Sequence, residues 1–204
     1  MFRVTGITYF FLLVVLFLFE SKGQINLLDS TSLANQFEYK KLETAVQKKD
    51  SVVKLVLRKQ KLKEFPSEIF EFKNLQYLDL SKNRIQYLPD SLFKLENLQV
   101  LIVSKTGLKS FPKNIHLLKN LKYLNFNQND IEEIPEEFSL LEKLEYADFW
   151  DNNLGVFPSN LYLLKNLKWM DFRNIMISND NQAAINKQLP NTIIHFSKAC
   201  NCGL

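Results

Sequence analysis

Apolar residues recur along most of the chain with a period of 23 residues. The clearest unit begins at Leu75 and has apolar residues at positions 1, 4, 6, 11, 14, 18 and 21. Position 15 of this unit is a proline, Pro89. Five successive units repeat this pattern at every position, beginning at Val52, Leu75, Leu98, Leu121 and Leu144. Such a period predicts stacked repeats, because no unit could bury its apolar residues alone.

Two periodicities alternate within each unit. Leu78 and Leu80 flank a polar residue, which is typical of a strand, whereas the apolar residues after the proline are three or four apart, as in helical turns. We therefore predict one short parallel strand per unit, followed by a loop and an irregular helical return. Most returns end in an asparagine, and we expect these residues to take the left-handed conformation that Asn tolerates. They are Asn74, Asn97, Asn120 and Asn166, with Lys143 as the exception.

These units resemble the leucine-rich repeat family, in its 23-residue class LxxLxLxxNxLxxLPxx[IL]xxLxx. The resemblance covers residues 52–177, as five complete repeats and one partial repeat. It implies an α/β fold, a right-handed curved solenoid with a parallel sheet on its concave face. It also implies that the Asn of the pattern bonds to backbone groups in the turns. That Asn is present as Asn83, Asn129 and Asn152 and is replaced by Gln60, Thr106 and Ile175. Because Ile175 cannot make such bonds, we expect the solenoid to end there.

The flanking segments predict caps on both ends of the solenoid. Residues 24–51 form the N-terminal cap, in which the helix-like spacing from Ser32 to Lys48 predicts a helix covering the first strand. Residues 178–204 form the C-terminal cap, with a short helix over 182–189 and a last strand over 193–196. For Cys200 and Cys202, near the end of the chain, a strained disulfide, free or intermolecular thiols and a metal site all stay open.

Residues 1–23 have the features of a signal peptide. Arg3 precedes an apolar run over residues 7–19, and Ser21 and Gly23 are small enough for cleavage. The run is shorter than the roughly 20 residues of a transmembrane helix, so we favour cleavage over a permanent anchor and expect no stable membrane insertion afterwards. The protein is predicted to be exported: secreted, periplasmic or on the cell surface. The chain lacks glycosylation sequences and the cysteine-stapled caps of animal and plant relatives, so the resemblance favours a bacterial source.

Composition and motifs give little indication of chemistry. The chain is 46% apolar and 24% charged with a net charge of +4, an excess too small to indicate a nucleic-acid partner. His116 and His195 have no neighbours at metal-ligand spacing, and no catalytic or phosphate-binding motif occurs. We therefore predict no enzymatic activity, no cofactor and no metal site.

The outward positions of the predicted strands carry the best candidate site. Because positions 4 and 6 face the core, positions 3, 5, 7 and 8 face outward on the concave face. Position 3 is Lys54, Tyr77, Val100, Tyr123, Tyr146 and Trp169 in successive units, and position 7 adds Trp150. An exposed aromatic row indicates a contact surface, with stacking support of the sheet as the alternative.

Charges at positions 5 and 8 flank these aromatic residues. Lys59, Lys82 and Lys105 make the first half basic, and Asp148 and Asp171 make the second half acidic. We predict a monomeric protein that binds a protein or peptide ligand on the concave face, oriented by these charges. The predicted binding residues are Tyr77, Tyr123, Tyr146, Trp150, Trp169, Lys82, Lys105, Asp148 and Asp171. Carbohydrate binding and a structural role in the cell envelope are the alternatives, and Asp148, Asp151 and Asp171 also leave a cation site open.

Overall fold

The computed structural model describes residues 26–198, which form one sheet of eight parallel strands in chain order. The strands are β1 (Glu38–Tyr39), β2 (Lys54–Val56), β3 (Tyr77–Asp79), β4 (Val100–Ile102), β5 (Tyr123–Asn125), β6 (Tyr146–Asp148), β7 (Trp169–Phe172) and β8 (Ile193–Phe196). The fold is the predicted open, curved solenoid. The predicted signal peptide and Cys200 and Cys202 lie outside the described residues.

Short helices return the chain from each strand to the next. Within residues 26–198 there are six 3-10 helices: η1 (Lys49–Ser51), η2 (Ser67–Glu71), η3 (Asp90–Lys94), η4 (Lys113–Leu117), η5 (Glu136–Leu140) and η6 (Leu161–Leu163). The repeated proline directly precedes η2 to η5, where its fixed φ suits the first turn. Three α-helices lie at the ends: α1 (Ser30–Ala34), α2 (Leu42–Val46) and α3 (Asn179–Gln188). None of the helices within residues 26–198 is long and apolar enough to cross a membrane.

The apolar repeat positions fill one continuous core. Leu78 and Leu80 are fully buried, and their equivalents in the other units join the same cluster. In the later units the core becomes aromatic, with ring centroids 5.5 Å apart for Phe138 and Phe149 and 5.8 Å apart for Phe149 and Phe172. The strand register follows the repeat period, so residues at one repeat position lie side by side across the sheet.

Buried asparagine amides join neighbouring repeats, as the resemblance implies. Asn83 donates from Nδ2 to the carbonyl of Leu57 at 2.8 Å and accepts through Oδ1 from the backbone N–H groups of Gln60 and Leu62. Asn129 and Asn152 make equivalent bonds two and three repeats further along the chain.

The left-handed residues are not those that we predicted. Asn74 keeps a negative φ and donates its amide to the carbonyl of Asp50, and Asn97, Asn120 and Asn166 bond in the same way. Positive φ angles fall instead at position 8, just after β2 to β7, in Lys59, Lys82, Lys105, Gln128, Asp151 and Asn174. Lys61 and Gly107, at position 10 of their units, also have positive φ angles. The chain therefore turns sharply at the strand end rather than at the end of the helical return.

The caps differ from the prediction in detail. The continuous helix predicted over 32–48 is wrong, because β1 interrupts it and extends the sheet by pairing Tyr39 with Leu55. Helix α3 begins at Asn179, three residues before the expected start, with the Ser178 hydroxyl accepting from the N–H of Asn181. The last strand predicted over 193–196 is confirmed: β8 spans Ile193–Phe196 and pairs with β7, so the sheet continues one strand beyond Ile175.

Candidate functional site

The outward row at position 3 is formed in register. Lys54, Tyr77, Val100, Tyr123, Tyr146, Trp169 and Ile193 are successive partners across the sheet. We call the four aromatic members, Tyr77, Tyr123, Tyr146 and Trp169, the aromatic row. Tyr146 is 40% exposed and the others are partly buried. The ring centroids of Tyr123 and Tyr146 are 6.2 Å apart, and that of Trp169 is 5.6 Å from His195.

A segment before the repeats lies across the first part of this face. We call Asn26–Ala34, which includes α1, the strap. Two buried glutamines at position 2 of their repeats hold it: Gln76 accepts from the N–H of Leu28 at 2.9 Å, and Gln99 donates to the carbonyl of Leu28 at 2.9 Å. Gln99 also donates to Oε1 of Gln76 at 2.8 Å, so the two amides are bonded to each other as well as to the strap. We call Gln76 and Gln99 the glutamine clamp.

Local interactions order the strap at both ends of α1. The Asp29 carboxylate accepts from the N–H groups of Thr31 and Ser32, both at 2.9 Å, as an N-cap, and these bonds, led by Ser32, lower its pKa. At the other end, Nζ of Lys54 donates to the carbonyl of Ala34 at 3.1 Å. The same ammonium lies 5.1 Å from the ring centroid of Tyr77 and 3.5 Å from Oε2 of Glu38.

A pocket of about 380 Å³ lies between the strap and the sheet. Its apolar lining comes from Leu33, Ala34, Val100, Ile102 and the three tyrosines of the aromatic row, and Ser30, Gln99, Lys122 and Glu145 add polar groups. We call it the strap pocket. Leu33 belongs to the strap and is not part of the repeat core, yet it is only 4% exposed. Its side chain is therefore buried by the packing of the strap against the sheet. The volume lies within the range of small-molecule and side-chain sites.

The covered end of the row is the more desolvated one. Burial, followed by the negative charges of Asp79 and Glu38, raises the pKa of Tyr77 to about 12. Its phenol therefore stays neutral and can donate a hydrogen bond at any physiological pH.

The acidic residues predicted to orient the ligand are used within the fold. Asp148 accepts from the N–H of Trp150 at 3.0 Å and from the amides of Asn125 and Asn127 at 3.0 and 2.6 Å. Asp171 is 1% exposed, accepts from the N–H of Arg173 at 2.8 Å and pairs with the Arg173 guanidinium at 2.6 Å. Both carboxylates shape the turn after their strand, so they present little free charge to a ligand.

Burial outweighs the hydrogen bonds at Asp148 and raises the pKa of its carboxyl group. The cation site left open by the sequence is not assembled in the part of the chain that the structure describes, where no group of three His, Cys, Asp or Glu side chains is placed to hold a metal ion. Asp151 accepts from the amide of Asn174 rather than joining the other two carboxylates.

The predicted basic residues remain exposed. Lys82 and Lys105 lie at consecutive strand ends beside Arg58 and Lys59, and none of the four is in a salt bridge among residues 26–198. The charges of Arg58 and Lys59, with some burial and Lys105, lower the pKa of Lys82. We call these four residues the cationic cluster.

Trp150 is separated from the aromatic row. It lies in the turn after β6, partly buried, and pairs with no other ring in the described residues. The structure thus brings together Tyr77, Tyr123 and Tyr146 around the strap pocket and leaves Trp169 and Trp150 beyond it. The strap was not predicted from the sequence. The pattern that indicates it is a pair of uncharged residues, Gln76 and Gln99, at position 2 of their units, where later units have charged residues: Lys122, Glu145 and Lys168.

Comparison with protein families finds leucine-rich repeat models at residues 50–108 and at residues 120–141. A search among curated proteins finds no match. The chain is similar to solved structures of three kinds. A leucine-rich repeat protein of Leptospira interrogans is 26% identical with a TM-score of 0.64, over 80% of this chain and 47% of that one. Internalin C2 of Listeria monocytogenes is 26% identical with a TM-score of 0.62, over 72% of this chain and 62% of that one.

The third is the leucine-rich repeat ectodomain of the Arabidopsis thaliana receptor kinase GASSHO1/SCHENGEN3, solved in complex with CASPARIAN STRIP INTEGRITY FACTOR 2. It is 25% identical with a TM-score of 0.65, over 79% of this chain and 20% of that one. The chain thus spans less than two thirds of the length of each of these neighbours. The repeated units of this chain are leucine-rich repeats, folded as in the solenoids of that family.

Proposed function

We propose that the chain is a protein- or peptide-binding module whose ligand lies on the concave face, across the aromatic row and the strap pocket. One observation carries the proposal: four aromatic side chains occupy one strand position in register, and three of them line a preformed pocket. Aromatic residues beside a pocket supply large contact area at low entropic cost and are typical of binding hot spots. The complex formed by the Arabidopsis neighbour supports a protein ligand for this fold.

Each predicted residue then has a role. Tyr77, Tyr123 and Tyr146 contact the ligand in the strap pocket, and Trp169 and Trp150 extend the contact toward the C-terminal end. Lys82 and Lys105 attract and orient the ligand by charge. Asp148 and Asp171 act indirectly, by fixing the turns that present Trp150 and Arg173.

We further propose that residues 1–23 direct export and that the remaining chain works as a monomer without enzymatic activity or cofactor. Residues 24–51 and 178–204 are its caps, and residues 52–177 carry the repeats. An envelope-scaffold role would make variants of the concave face silent, so the experiment below also tests that alternative.

The test is affinity selection of a displayed random-peptide library on the immobilised protein. Binding of the selected peptides is then measured for Tyr146→Ala/Trp169→Ala and for the matched variant Tyr87→Ala/Tyr162→Ala. Tyr87 and Tyr162 are 62% and 52% exposed and lie outside the strands. We expect at least a tenfold loss of affinity in the first variant and no change in the second.

Circular dichroism melting of both variants shows that they fold. Unchanged affinity in Tyr146→Ala/Trp169→Ala would contradict the proposal and move the search to the helical side. Displacement of the selected peptides by soluble polysaccharides would instead assign the face to carbohydrate.

A further inference from the structure

The cationic cluster, Arg58, Lys59, Lys82 and Lys105, has no counterpart elsewhere on the concave face. We infer that it receives an acidic segment of the partner, a run of about three or four residues rich in Asp and Glu. This inference rests on the proposed function, because it names the chemistry of one part of the protein ligand.

The three lysines occupy consecutive rungs of the sheet. The backbone N–H of Lys59 donates to the carbonyl of Ser81 at 3.1 Å, that of Lys82 to Ser104 at 2.8 Å and that of Lys105 to Asn127 at 3.0 Å. Adjacent strands are about 4.8 Å apart, so these lysines span roughly 10 Å across the strands. An extended peptide rises about 3.3 Å per residue, so three or four of its residues cover that distance.

The first sign of selection for charge is the backbone conformation. All three lysines have positive φ angles, between 55° and 61°. Only Gly, Asn and Asp enter this region at low cost, because other side chains crowd the neighbouring carbonyl. The last two units use such residues at the same position, Asp151 and Asn174, and the fourth unit has the uncharged Gln128 there with a φ of 53°, so the repeat does not require lysine.

The second sign is uncompensated repulsion. The charges lie within about 10 Å, which is comparable to the screening length at physiological salt. No carboxylate within the described residues forms a salt bridge with any of them. The lowered pKa of Lys82, caused first by Arg58 and Lys59, reports the same repulsion. The positive φ angles of the lysines and the repulsion between their charges both destabilise the fold. We take these two uncompensated costs as support for an anionic ligand.

The length of the cluster favours a peptide over a uniform polyanion. Beyond Lys105 the next rungs carry Gln128 and Asp151, and Asp130 and Asp151 line one surface pocket with Lys105. A nucleic acid or sulfated glycan that continued along the solenoid would meet these carboxylates one and two rungs further on. A peptide can place its negative charges over the lysines alone and continue with uncharged or apolar residues.

Fluorescence anisotropy of a labelled peptide with four consecutive glutamates, and of its glutamine counterpart, tests the inference. The protein is compared with Lys82→Asn/Lys105→Asn and with the charge-matched control Lys94→Asn/Lys119→Asn, whose lysines are exposed and outside salt bridges. We expect the cluster variant to bind the glutamate peptide at least tenfold more weakly, with a smaller salt dependence, and the control to match the wild type within twofold. The cluster variant should also melt at a higher temperature, since Asn relieves both costs.

Equal weakening in both variants, binding of the glutamine peptide as tight as that of the glutamate peptide, or a lower melting temperature in the cluster variant would each overturn the inference. If a sulfated polysaccharide or single-stranded DNA of equal charge binds more tightly than the glutamate peptide, the ligand of the cationic cluster belongs to that class and not to acidic peptides. If the cluster variant loses glutamate binding while Tyr146→Ala/Trp169→Ala keeps its library peptides, the inference stands and the role of the aromatic row in the proposed function fails. If the cluster variant keeps glutamate binding while Tyr146→Ala/Trp169→Ala loses its library peptides, only the inference is overturned.

Discussion

The two halves of the concave face share one repeat backbone and differ in what covers them. Along β3 and β4 the strap crosses the face, and Gln76 and Gln99 are buried beneath it at 2% exposure. Along β5 to β7 the equivalent positions are charged and half-exposed or exposed, and Glu145 pairs with Lys168 at the surface. One side-chain position per repeat therefore determines whether the sheet binds its own chain or remains open to a ligand.

The two halves also differ in how far their tyrosine side chains are exposed. The covered half holds Tyr77 in a desolvated environment against Lys54, whereas the open half presents Tyr146 at 40% exposure. The strap pocket lies at the boundary, lined from both sides. A ligand on the open half can therefore insert a side chain against a preformed wall, which lowers the entropic cost of binding.

Exchanging the polar chemistry of the two halves should have the largest effect. Gln99→Glu removes the donor to the Leu28 carbonyl and to Gln76 and leaves a buried charge, so we expect a loss of about 3 kcal/mol in the free energy of unfolding. Its counterpart Glu145→Gln removes an exposed ion pair and should cost less than about 1 kcal/mol. Urea denaturation measures both, and equal losses would contradict the distinction between the halves.

Removing the apolar anchor of the strap should have a smaller effect. Leu33→Ala should cost about 2 kcal/mol, at the low end for buried leucines because the adjoining pocket admits water. Amide hydrogen exchange should then speed up in the strap and stay unchanged in β5 to β7. Leu27→Ala is the control, because Leu27 is 38% exposed, and should leave exchange as it is. Protection of the strap in Leu33→Ala would show that the glutamine clamp holds it without the leucine.

A further effect should appear only at alkaline pH. The folded-state pKa of Tyr77, about 12, lies above the ordinary value of 10.0, so the folded state disfavours the phenolate. Its contribution to stability is complete below pH 10 and is lost as the pH rises toward 12. Tyr77→Phe should therefore gain stability relative to the wild type across that window, measured by denaturation at stepped pH. A constant difference between the two proteins would contradict the desolvation of Tyr77.

The repeat period predicted most of the fold because every unit satisfies it. Seven apolar positions per unit determined the strand register and the outward positions, and the structure confirms both. The prediction failed where a residue has two physical uses. Asn74 suits a left-handed cap, yet its amide donates instead to the carbonyl of Asp50, at the end of the N-terminal cap.

The candidate site was less predictable for the same reason. Asp148 and Asp171 occupy outward positions, but the alternation of a strand does not reveal that a carboxylate folds back onto the N–H two residues later. The strap depends on contacts between residues about 50 to 70 positions apart in sequence, such as Leu28 with Gln76 and with Gln99. Nothing in the local pattern of residues 26–34 specifies that destination, and the spacing from Ser32 to Lys48 favoured one helix where the sheet gained a strand.

The glutamine clamp also bears on how such a chain can change length. Solenoids grow and shrink by duplication or loss of whole units, which leaves each interface between neighbours intact. The clamp requires Gln76 and Gln99 to be adjacent and at a fixed distance from Leu28. An extra unit inserted between β3 and β4 would separate the two glutamines and release the strap, whereas one inserted between β5 and β7 would only lengthen the open face. We therefore expect changes in repeat number to be tolerated in the open half of the molecule and not between β3 and β4.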